Sequence, residues 1–179
     1  MYNTIFLISG IILLVIFGFS VSIIHIRALR DDLSGRWYNL ADKLQYRQDM
    51  IPNLIETIKL FVPAENFPQY AELIQKTIDL RVAAAKNTHT GHNKIVQEHD
   101  LSEYINQLFE IGQKHENLAI STNFLELKKE FSDLNKQLHD LSDDYNKHVR
   151  HHNSLLSRPY NILPAVVMRY KRKLIFDFE

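Results

Sequence analysis

From Met1 to Ile24 the chain carries no charged side chain and most positions are apolar, which constrains the fold more than any later segment. An α-helix crosses a hydrocarbon core of about 30 Å with about 20 apolar residues. Ile5 to Ile24 (IFLISGIILLVIFGFSVSII) supplies them, with Leu14 near the middle. Gly10 and Gly18 fit this reading, because glycine is commoner in membrane helices than in soluble ones. Eight residues apart, they do not form the G-x-x-x-G dimerisation pattern. A cleaved secretory signal needs a basic leading region, a shorter apolar core and a small-residue cleavage site. Here Met-Tyr-Asn-Thr precedes the run and His25-Ile26-Arg27 follows it. We expect an uncleaved single-pass anchor over residues 1–30.

Short flanks rich in Lys and Arg stay on the cytoplasmic side. Arg27 and Arg30 follow the apolar run and no basic residue precedes it. The N-terminus is therefore expected outside and everything after Arg27 in the cytoplasm, at the cell (inner) membrane. About 150 residues remain, enough for one domain with its own core. The chain has no cysteine, which removes disulfides, thiolate catalysis and cysteine-based zinc sites. Asp31–Arg158 carries 15 basic and 19 acidic residues, whereas Pro159–Glu179 carries 4 basic and 2 acidic ones. A mildly acidic body is a poor nucleic-acid binder, so no nucleic-acid partner is expected.

The body reads as long helices packed at a shallow angle, because apolar residues recur every seven positions. Trp37, Leu44, Ile51 and Ile58 form one row, and Leu40, Arg47, Leu54 and Phe61 the other. A longer pair of rows runs through Phe124, Phe131, Leu138, Tyr145 and His152, and through Leu127, Leu134, Leu141, His148 and Leu155. Leu101, Tyr104, Leu108, Ile111, His115 and Leu118 mark a third helix. Gln69 to Lys86, through Ile74, Ile78 and Ala85, marks a fourth, weaker one. Breaks fall at Val62–Pro68 and Asn87–Asn93, and Ser121 or Thr122 can cap the last helix. Pro52 interrupts the first helix's hydrogen bonding, yet the pattern keeps its register on both sides, so one kinked helix is expected there. No segment alternates with period two. The expected fold is all-α: an N-terminal transmembrane helix, then an up-down antiparallel four-helix bundle over 31–158, then a tail over 159–179.

Tyr46-Arg47-Gln48-Asp49-Met50-Ile51-Pro52-Asn53-Leu54-Ile55-Glu56-Thr57-Ile58-Lys59 resembles the signature of the LemA family, approximately R-R-x-D-L-I-P-N-L-V-x-x-V-K. Further matches follow in order. Asp79-Leu80-Arg81-Val82-Ala83 resembles an x-x-A-R-A motif, and Asn123-Phe124-Leu125-Glu126-Leu127 an N-F-L-x-L segment. Tyr145-Asn146, Asn153, Pro159 and Asn161 resemble the family's closing Y-N, Y-N and F-P-x-N run. Tyr46, Asp143, Asp144 and Arg158 depart from it, which marks a divergent member. The resemblance implies a membrane-anchored antiparallel helical bundle and implies no catalytic activity.

No Gly-rich phosphate loop, G-x-S-x-G elbow, H-E-x-x-H or Glu-x-x-His pair occurs, and no cofactor is expected. His148 and His152, one helical turn apart with Asp144 a turn earlier and Asp140 beyond, are the candidate cation ligands. An i,i+4 histidine pair near a helix end is more often a polar boundary of the core. Arg47 on the seam needs a carboxylate or an escape to solvent. Asp140 or Asp144 on the last helix is the expected partner, fixing the register of the first and last helices. In the tail, Ile162, Leu163, Val166, Val167, Met168, Leu174, Ile175 and Phe176 surround Arg169, Lys171, Arg172 and Lys173, a mixture suited to an anionic leaflet. Capping of the open end of the bundle is the alternative. The resulting expectation is a non-catalytic interaction or scaffold module at the cytoplasmic membrane face, with the lipid bilayer and a membrane or cytoplasmic protein as partners. Exposed side chains such as Tyr38 and Tyr70 would be its contacts. The second reading is a ligand or metal sensor built on His148, His152 and the neighbouring aspartates.

Overall fold

The computed structural model describes residues 2–63, 65–88 and 91–178. Ala64 in the first expected break, His89 and Thr90 in the second, and Met1 and Glu179 lie outside the described residues. Among the described residues six helices follow in order: α1 (Tyr2–Phe61), α2 (Pro68–Lys86), α3 (His92–Lys114), α4 (Glu116–Ala119), α5 (Thr122–Leu156) and α6 (Pro159–Val167). There is no strand among the described residues.

Helix α1 is one 60-residue helix, about 90 Å at 1.5 Å per residue. Its first part is long and apolar enough to cross a membrane. Ile5, Leu14 and Ile24 point outward with nothing packed over them, and burial begins at Ser22 and Ile26. From there the buried face runs through Leu33, Trp37, Leu40, Leu44, Arg47, Ile51, Leu54 and Ile58, the three-and-four spacing of a helix that shares a core.

Helix α5 supplies the facing row, with Phe124, Leu127, Phe131, Leu134, Leu138, Tyr145 and His152 buried. Ser121 caps it, its hydroxyl accepting from the Phe124 N–H at 3.3 Å. Arg36 meets Asp144, Tyr46 meets Glu130, and Asn123 donates to Thr57 at 2.8 Å. Partner numbers thus fall along α5 as they rise along α1. Helix α2 lies against α1 through Arg81–Asp49 at 3.3 Å and against α3 through Lys94 on the Ala84 carbonyl at 2.8 Å. A cleft of about 670 Å³ opens between α3 and α5, lined by Ile105, Phe109, Phe131 and Asn135 among others.

Several seam assignments shift, and the third helix stops at Lys114, so that Leu118 falls on α4. Ile105 rather than Tyr104 is buried on α3, and Ala84 rather than Ala85 on α2. Leu141 and His148 are only half-buried, while Ser142, Asn146 and Val149 take the buried side of α5. The tail is the cause, because it runs back over that face.

Candidate functional site

Arg47 is buried and its partner is not on α5. Its Nη2 lies 2.6 Å from Oε2 of Glu98 on α3, and its Nη1 donates to the Ser102 hydroxyl at 2.7 Å. The other Glu98 oxygen accepts from Gln48 at 2.5 Å and lies 2.8 Å from the Lys94 ammonium. Neither Asp140 nor Asp144 is the partner, and the expected α1–α5 register pair is replaced by an α1–α3 cluster. The physical reason lies on α3: continued backward from Leu108 and Leu101, the three-and-four spacing lands on Glu98 and Lys94, which therefore face the core. Burial pulls the Arg47 guanidinium below its usual range, opposed by Glu98. The Phe178 ring covers it, 4.8 Å from the guanidinium carbon.

Pro52 has a specific accommodation. It cannot donate to the Gln48 carbonyl four residues back, and Arg81 of α2 donates to that oxygen instead, at 2.7 Å. Pro52 and Asn53 are exposed, Leu54 is buried, and Asp49 accepts from Arg81 and Gln45. Two stretches that resemble family motifs, around Pro52 and around Arg81, thus meet at one carbonyl.

The Tyr145-Asn146 pair holds the tail. Asn146 donates to the Phe176 carbonyl and accepts from the Phe176 N–H, both at 2.7 Å, and Ser142 donates to the same carbonyl at 2.7 Å. Tyr145 and Phe176 flank Trp37, ring centres 5.7 and 5.5 Å away. Further back, Asn153 clamps the Lys173 backbone at 2.9 and 2.8 Å. The tail therefore divides. Phe176 and Phe178 are buried in the helical body rather than offered to a leaflet, whereas Arg169, Lys171, Arg172, Lys173, Leu174 and Ile175 stay exposed. Nothing in a short apolar-basic sequence says which side its apolar residues cover.

Helix α6 leaves Ile162, Leu163, Val166 and Val167 exposed. It docks where Asn161 receives the Ser22 hydroxyl and donates to the Leu155 carbonyl at 2.9 Å. Ala165, Leu155 and Leu156 close around Ile26. This apolar face therefore sits beside the last turns of the membrane-length segment.

The histidine candidates separate. His148 is half-buried beside Asp144, 3.7 Å from its carboxylate, and 4.0 Å from Asp32; Arg36 engages both carboxylates, and they hold it above its usual range, Asp32 first. His152 is fully buried, burial pushes it down, and its Nε2 has no hydrogen-bond partner. Among the described residues no group of three or more His, Cys, Asp or Glu gathers as metal ligands. Asp140 is exposed, Tyr38 is exposed, and Tyr70 instead packs half-buried on the core with His115 Nε2 3.3 Å from its hydroxyl.

Glu98, Lys94 and Phe178 escaped the sequence reading, and Phe176, expected at the leaflet, is a core residue instead. For Glu98 and Lys94 the backward spacing was the available signal; for the two phenylalanines there was none.

Fold and site together define an all-helical protein whose first helix carries a membrane-length apolar segment and whose C-terminal strap closes over a buried ionic cluster. The LemA family model matches residues 36–179, and the chain belongs to the LemA family. The match takes in the strap and α6 together with the helices. No curated protein matches this chain.

Proposed function

We propose that this protein is a membrane-tethered, non-enzymatic interaction module, with α1, α2, α3 and α5 forming an antiparallel four-helix bundle at the cytoplasmic face of the cell membrane. One observation carries the reading. The helix that bears the apolar segment continues without a break into the centre of the folded body, so the bundle is held at a set distance from the bilayer instead of hanging from a linker. Falling partner numbers across α1–α5 support the antiparallel arrangement. Arg27 at the foot of the bundle, and Arg30 with the basic run Arg169–Lys173 around one cleft there, favour an anionic cytoplasmic leaflet. The cleft between α3 and α5, with Phe109 and Phe131 in its wall, is the surface on which a protein partner would dock.

The test is crosslinking in membranes from photoreactive residues at Gln113 and Lys128 beside that cleft, with protease protection in the same cells. A protein captured reproducibly from these positions, and not from Tyr2, supports the reading. A body digested from outside overturns the orientation, and absence of any captured protein overturns the docking role.

A further inference from the structure

At the foot of the bundle, Arg30, His152, Arg169, Lys171, Arg172 and Lys173 line a cleft of about 430 Å³. Five of these side chains are cationic, and contacts position Arg172, Arg30 and the backbone of Lys173. Arg172 donates to the Ser157 hydroxyl at 2.8 Å, Asn153 clamps Lys173 on both backbone groups, and the Arg30 guanidinium lies 5.5 Å over the Tyr170 ring. The turn into the cleft is a Schellman motif: Tyr170 N–H bonds the Ala165 carbonyl at 2.9 Å and Arg169 N–H bonds that of Val166 at 3.1 Å. It places Arg169 at φ 53, a left-handed conformation where glycine is usual and a side-chain-bearing residue is strained.

The second observation is independent of these charges. His152 lines the same cleft, is 1% exposed, and leaves Nε2 without a partner. Buried polar atoms are rarely left unpaired. Its Nδ1 lies 3.4 Å from Asn153 Oδ1, an oxygen that only accepts, so Nδ1 carries the neutral ring's proton and Nε2 becomes a second donor once a proton is taken up with an arriving anion. A compact, multiply cationic cleft with a buried imidazole that gains a donor on protonation suits the tetrahedral oxygens of a phosphate.

We propose that this cleft binds the phosphate of an anionic phospholipid headgroup. The lipid source rests on the tethered reading above. Arg30 lies six residues beyond Ile24, about 9 Å along the helix axis, which is close to the depth of a headgroup below the hydrocarbon. Helix α6 lays its exposed apolar face beside the same level of α1, where acyl chains would meet it.

The full chain, delipidated in a neutral detergent, would be titrated with phosphatidylglycerol, phosphatidylcholine and inorganic phosphate, and bound species counted by native mass spectrometry. One phosphatidylglycerol should bind per chain, more tightly than phosphatidylcholine or free phosphate. His152→Phe should weaken it about tenfold, the loss of one charged hydrogen bond, without lowering the melting temperature of the lipid-free protein. Replacing Arg169, Lys171 and Lys173 together by Gln should weaken it further, and replacing the distant Lys128, Lys129 and Lys136 by Gln should not. Equal loss in the two triple variants would reduce the effect to net charge and overturn the site. Unchanged binding by His152→Phe would overturn its buried donor, and free phosphate binding as tightly as lipid would overturn the lipid assignment. Detergent titration is blind to membrane side and protein partner, so these results stand apart from failure of the docking reading.

Discussion

Gly112 shows how closely α3 is fitted to α5: a Cβ added there would overlap the Phe124 ring. Alanine is the better helix former, yet Gly112→Ala should destabilise the protein by about 1–3 kcal/mol, the usual cost of overpacking, seen as a lower denaturation midpoint. The Glu98 cluster makes a contrast between two variants. Glu98→Ala leaves Arg47 and Lys94 buried without their carboxylate and should cost about 3–5 kcal/mol. Arg47→Met leaves the Lys94–Glu98 pair intact, and chemical denaturation should find it distinctly milder. His152 sets a pH dependence. Its folded value lies below the unfolded one, so the unfolded chain takes up the proton first. The associated stability is complete above the unfolded value of about 6.5, shrinks as pH falls below it, and is lost beneath the folded value. Melting temperatures of lipid-free protein between pH 7.5 and 5 should fall less in His152→Phe.

Helix α1 survives Pro52 because another helix supplies the missing donor. Arg81→Ala should leave the Gln48 carbonyl without its substitute partner and cost about 1–3 kcal/mol. In Pro52→Ala, where the backbone N–H is restored, the same Arg81 substitution should cost less. A double-mutant cycle on unfolding free energies measures that coupling. Helix α2 buries only Ile74, Thr77 and Ala84, whereas α5 buries twelve residues. Elements with few buried contacts open first, so amide exchange should be fastest in α2 among the three long helices α2, α3 and α5.

Taken whole, the molecule is closed by its own C-terminal strap. Phe176 is fully buried against Trp37 and is fastened by Ser142 and Asn146. Phe176→Ala should cost about 3–5 kcal/mol and free the basic run, so that limited trypsin digestion cuts at Arg169–Lys173 sooner than in the parent chain.

The apolar segment, the long helices and the breaks at Val62–Pro68 and Asn87–Asn93 were legible in the residues, whereas the stop of α3 at Lys114 and the short α6 were not; chain-local physics sets the former, since about twenty apolar residues match a bilayer and three-and-four spacing makes a buried stripe. Ser121 as a cap, Gln69–Lys86 as a helix and the family signature around Pro52 were readable for the same reason. Which carboxylate answers Arg47, what repairs Pro52, and whether Phe176 faces lipid or the core were not. Each depends on groups that meet across tens of residues, Arg47 with Glu98, Gln48 with Arg81, Asn146 with Phe176, and a linear pattern carries a side chain's periodicity without the identity of what packs against it. His152 and the basic run, twenty residues apart, likewise became one cleft only when the tail turned back over α5.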